Sequence, residues 1–136
     1  MSDEYVDDPS IRNEDILLRR IMPDWWRFDH NLNAVRPSSQ AFNDHRSGTP
    51  MSVHLLTVLQ KHGAEANAVL EGHPGFALAA ITAGLVRQWG QGVRRAPLEG
   101  DPAHAEVFGK KTQAVRRALA RHASWIVEPT AVVERS

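Results

Sequence analysis

Apolar residues begin to recur along this chain only beyond residue 12. Residues 1–12 are polar, hold Pro9 and show no periodicity, which predicts a flexible acidic tail that buries too little surface to order itself. From Asn13 the pattern changes. Ile16, Leu17, Leu18 and Ile21, with Asn13 as cap, Glu14 and Asp15 in the first turn and Pro23 as a stop, predict a short helix. Trp25, Trp26 and Phe28 predict a strand. Asp29-His30-Asn31 with Asn33 then form a turn into a second strand over Ala34 to Phe42. Residues 43–50 read as a loop, and Met51 to Leu56 fits either a strand or the start of a helix.

Leu55, Leu56, Val58 and Leu59 before Gly63 have helical spacing, and a second helical turn over 64–70 would bury Ala66, Val69 and Leu70. The unbroken apolar run Phe76 to Ile81 predicts a strand buried on both faces at the sheet centre, followed by a short helix from Ala83 to Gln88 after Thr82. Gln91 to Ala96 reads as a strand and 97–102 as a loop. Ala103, Ala105 and Val107 alternate with His104, Glu106 and Phe108, which predicts a strand with one apolar and one polar face. Thr112 caps a helix through Ala123 whose stripe is Val115, Ala118, Leu119 and His122 or Ala123. Trp125 to Val127 closes the sheet before Pro129. The expected fold is α+β: one domain over 13–129 with a mixed, mostly antiparallel sheet and helices packed against it, between the tail at 1–12 and a C-terminal tail at 130–136.

Composition narrows the class. A chain of 136 residues, 42% of them hydrophobic, fits one domain. The absence of cysteine excludes disulfides and thiolate chemistry and suits a reducing, cytoplasmic setting. The acidic start has no signal-peptide character, and no apolar run approaches the roughly 20 residues of a membrane-spanning helix, so a soluble protein without a membrane partner is expected. Net charge is zero but unevenly placed: residues 1–15 are five net negative and residues 87–122 five net positive. The acidic segment could therefore compete for a basic surface.

Two stretches carry candidate chemistry. Arg36, Ser38 and Ser39 put a guanidinium beside two hydroxyls, suited to an anion, although Pro37 with the two serines also makes an ordinary turn. Lys110, Lys111, Arg117 and Arg121 extend this to a basic helix that could meet a phosphate backbone or lie as a solvated face; Trp25, Trp26, Trp89 and Trp125 read as core rather than stacking platforms. His104 and Glu106 share a strand face and form a candidate acid–base pair, with Ser52 as a candidate hydroxyl. The seven histidines show no metal-ligand spacing, and nucleotide-loop and serine-elbow motifs are absent, so neither metal nor cofactor is expected.

The segments RPSSQAF (36–42), MSVHL (51–55), FALAAITAG (76–84) and DPAHAEVFGKK (101–111) resemble those of a family of small uncharacterised bacterial proteins over roughly residues 16–129. That resemblance implies a compact bacterial domain and carries over no catalytic residue. Arg36, Ser52 and Glu106 also follow the order seen in ADP-ribosyltransferases of the arginine–serine–glutamate type, where these groups surround NAD; the Ser-Thr-Ser strand and paired-glutamate turn of that type are missing. The leading expectation is a non-enzymatic binding or accessory domain whose basic helix contacts nucleic acid or an acidic protein surface. The rival is an enzyme acting on a phosphate-bearing small molecule such as NAD through Arg36, Ser52 and Glu106.

Overall fold

In the computed structural model, which describes residues 5–129, Ile16–Ile21 is a strand, β1, and not the expected helix. Asn13 caps nothing: its carbonyl accepts from Gly84 N and its side chain from Arg87. The apolar residues of β1 serve both faces of a sheet, and a strand buried on two faces reads as a nearly continuous apolar run. Arg19 and Arg20 interrupt that run without exposing the strand, because each guanidinium ends on backbone carbonyls. Arg19 donates to Ala41 O (2.9 Å) and Ser52 O (2.9 Å) and lies over the Trp25 ring, while Arg20 donates to Val69 O (2.7 Å). Burial, with Arg20 beside it, pushes the Arg19 pKa down to about 10, which leaves it charged at neutral pH.

The remaining elements, in chain order, are β2 (Trp26–Asp29), β3 (Ala34–Pro37), β4 (Met51–Leu55), α1 (Leu56–Lys61), β5 (Ala77–Thr82), α2 (Ala83–Gln88), β6 (Gly92–Arg95), β7 (His104–Phe108), α3 (Gln113–His122) and β8 (Ser124–Val127). Thus Met51 to Leu56 resolves as strand first and helix after. The strand expected from Ala34 to Phe42 stops at Pro37, and Ser39–Phe42 winds into a 3-10 turn. Six strands form one sheet in the order β6-β7-β4-β1-β5-β8, with β2 and β3 as a separate hairpin; every pairing among the described strands is antiparallel. The protein is a single compact α+β domain. β5 is buried on both faces as expected, but β4 and β1 occupy the sheet centre.

Leu17, Ile21, Val53, Ala79, Ala105 and Val107 point to one face, where Val115 and Leu119 of α3, Trp26 and Phe42 complete the main core. Thr112 accepts from Val115 N to start α3, and at its far end Ala123 is buried while His122 is exposed. On the opposite face, Leu18, Leu78 and Ala80 are covered by Val69 and by residues of α1 and the 3-10 turn Ala66–Leu70. The other half of that face, on β4, β7 and β6, is polar. Trp89, expected in the core, is 40% exposed, whereas Trp26 is buried and Trp25 and Trp125 are half-buried.

Residues 5–12 depart from the expected flexible tail. Ile11 is buried in the main core, Asp8 N donates to Val93 O (2.9 Å), and the Asp7 carboxylate accepts from Val93 N (2.9 Å). This segment therefore satisfies the outward N–H and carbonyl of Val93 on β6, an edge strand that would otherwise offer them to another chain. Residues 1–4 and the expected C-terminal tail at 130–136 lie outside the described residues. Among the described residues no helix is long and apolar enough to cross a membrane.

Candidate functional site

The β2–β3 hairpin lies beside α3, and between them runs an open groove of about 900 Å³. Its floor and walls include Arg27, Phe28, His30, Gln113, Arg117 and Arg121. The hairpin turn is built by Asp29, whose carboxylate accepts from Asn31 N (2.9 Å) and Leu32 N (3.2 Å), and by Asn33 at φ 52°. That turn holds Phe28 39% exposed, with its ring packed edge-on against His30 at 4.9 Å between centroids. Arg27 stands directly across from Arg36 in the hairpin register. Like charges on facing strand positions repel, and of the two, which both line the groove, Arg36 alone is held by side-chain hydrogen bonds among the described residues.

Arg36, expected to clamp an anion, turns instead to the end of α3. Its Nη2 donates to Ala120 O (3.0 Å), Arg121 O (3.2 Å) and Ala123 O (2.6 Å), carbonyls that a helix terminus leaves without partners. Arg36, Ser38 and Ser39 all line the groove, but Ser38 is buried with its hydroxyl unpartnered, and Ser39 is the more exposed of the two serines. Lys111, expected on the anion-binding surface, is enclosed instead. Its ammonium is buried and bonds Asp44 (2.9 Å), Val107 O (2.9 Å) and Gly109 O (3.2 Å); burial pulls its pKa down despite Asp44. Lys110 is exposed but lies away from the groove.

Arg117 and Arg121 do line the groove, exposed, and with Arg27 they make no hydrogen bond or ion pair through their side chains to any described residue. Among the described residues, the acids of the N-terminal segment pair elsewhere. Asp7 pairs with Arg87 (3.1 Å) and Asp8 with Arg95 (3.6 Å), at the β6 edge. Asp8 is held below the usual carboxylate range chiefly by Ser10, with Arg95 and Arg87 adding to it. Arg27, Phe28 and His30 do not stand out as site residues in the sequence. Their one signal is the row Trp26-Arg27-Phe28-Asp29-His30 leading into a turn, since an aromatic that close to a hairpin tip runs out of neighbours to cover it.

A second cluster occupies the polar half of the sheet. The β4–β7 register sets Ser52 across from Glu106 and His54 across from His104, uniting the candidates Ser52, His104 and Glu106. His104 Nε2 lies 3.1 Å from Ser52 Oγ and its Nδ1 2.8 Å from Ala96 O. Glu106 is occupied by Arg94 (2.7 and 3.0 Å). His54, only 4% exposed, meets Asp101 at 2.9 Å; burial pushes its pKa below the ordinary 6.5, and Asp101 offsets this only in part. Arg36 does not join them: it sits in the α3 layer over the main core, whereas Ser52 and Glu106 point from the other face of the sheet. The Arg36, Ser52 and Glu106 arrangement expected of an NAD-using transferase is therefore absent.

Comparison of the chain with family models, with curated proteins and with solved structures finds no match.

Proposed function

We propose that this protein is a binding domain for an anionic polymer, and that the polymer is single-stranded nucleic acid lying in the groove between the β2–β3 hairpin and α3. The observation that carries this reading is the set of three guanidiniums, Arg27, Arg117 and Arg121, which share one groove without an acidic partner among the described residues. The acid in the groove lining, Asp29, makes its hydrogen bonds to its own turn amides rather than to these guanidiniums. A phosphate backbone supplies charge at a repeat that such a row can follow. An acidic protein surface would satisfy the same charges, but it has no particular use for Phe28 and His30, which offer a base a surface to stack on.

Fluorescence anisotropy with labelled single-stranded RNA and DNA, and with a polyglutamate peptide for comparison, tests this. Binding should weaken with salt, with a log–log slope of about −2 for three phosphate contacts. Arg117→Glu with Arg121→Glu should weaken it at least tenfold. Phe28→Ala should cost about 1–3 kcal/mol on nucleic acid and leave polyglutamate unaffected. Equal binding of both polymers with no effect of Phe28→Ala would transfer the reading to an acidic protein partner, and salt-independent binding or none would overturn it.

A further inference from the structure

The cluster on the opposite face of the sheet has a property that the groove does not use. His104 Nδ1 faces a backbone carbonyl, Ala96 O at 2.8 Å, which can only accept. The ring hydrogen of the neutral imidazole therefore resides on Nδ1, and Nε2 is left as an acceptor. The group in front of Nε2 is the Ser52 hydroxyl at 3.1 Å. The hydrogen-bond chain thus runs Ser52 Oγ–H to His104 Nε2, and His104 Nδ1–H to Ala96 O, so the serine proton already points at a base whose tautomer is fixed from behind. His54 packs edge-on against His104, 5.7 Å between centroids, and is itself fixed by Asp101, so the imidazole is held from the side as well. Ser52 and His104 both retain partial exposure.

A cation lies on the same face of the sheet. On β1, Leu18 faces His54, and Arg20 follows it on the same face as the strand runs toward Ser52. Arg20 uses Nε on Val69 O, and its two terminal nitrogens make no hydrogen bond to any described residue. Their N–H groups are free to meet a developing oxyanion.

We propose that Ser52 is a base-activated nucleophile, with His104 as its general base, for acyl transfer from carboxylic esters. Oγ bonds to the ester carbonyl carbon as its proton passes to His104 Nε2, and the carbonyl π pair moves to oxygen, whose charge is offset by Arg20 on the same sheet face. Collapse expels the alcohol oxygen, which takes the proton back from Nε2. Water then reverses the sequence on acyl-Ser52, releasing the acid.

A fluorophosphonate probe tests the first step, because Oγ–P forms as fluoride leaves. Intact-mass and peptide analysis should find one adduct, on Ser52, that Ser52→Ala abolishes and His104→Gln slows at least tenfold, with circular dichroism confirming the fold of each variant. Since the chain has no cysteine, Ser52→Cys adds a second measurement: the alkylation of its single thiol by iodoacetamide at pH 7 should be at least tenfold faster than that of glutathione. Adduct formation elsewhere or not at all, or a thiol in the Ser52→Cys variant no faster than glutathione, would overturn the proposal, whatever the outcome of the nucleic-acid measurements.

Discussion

Lys110 and Lys111 are adjacent and chemically identical, yet one is solvated and the other is enclosed by Asp44 and two carbonyls. Replacing Lys111 with Met leaves Asp44 and those carbonyls without their cation and should cost about 3 kcal/mol, whereas Lys110→Met should stay within about 0.5 kcal/mol. Urea unfolding of the two variants side by side measures the difference. Nothing in a Lys-Lys pair says which member turns inward, because the deciding partner, Asp44, arrives from a distant loop. The same holds for Arg36, whose fixed charge is legible in the sequence but whose partners, the terminal carbonyls of α3, are not. His104 and Glu106 can be placed on one face from strand alternation alone. Their meeting with Ser52 depends on a β4–β7 pairing that no local pattern encodes.

At the level of elements, most of the chain follows its own punctuation. Thr82 and Thr112 cap α2 and α3, and the alternation at 103–108 gives β7 its two faces. The helix expected at the N-terminal end does not form because Ile16, Leu17, Leu18 and Ile21 satisfy a two-faced strand as well as a helix stripe, and the Arg19-Arg20 interruption resembles a solvated helix face until the accepting carbonyls are seen. The segment before it departs from expectation for a related reason: a single apolar residue, Ile11, and two carboxylates suffice to fasten it when an unpaired strand edge is waiting. Ile11→Ala should cost about 3 kcal/mol and lower the melting temperature by roughly 10 °C. A melting temperature within a degree or two of the parent would mean that the segment is not part of the fold in solution.

For the molecule as a whole, pH dependence should come in part from His54. Its folded pKa lies below the ordinary 6.5, so between those two values the unfolded chain binds more protons, and stability falls as pH drops below about 6.5. Chemical denaturation between pH 7.5 and 5 should show a loss of up to about 1.4 kcal/mol per pH unit, flattened by His54→Gln; a level profile would show that the imidazole titrates alike in both states. The sheet order has another consequence, for synthesis. β1 lies between β4 and β5, so its neighbours begin only at Met51 and Ala77. A growing chain must carry an apolar strand without a partner until those residues leave the ribosome, and through that interval Ile16–Ile21 is open to whatever in the cell takes hold of extended apolar segments.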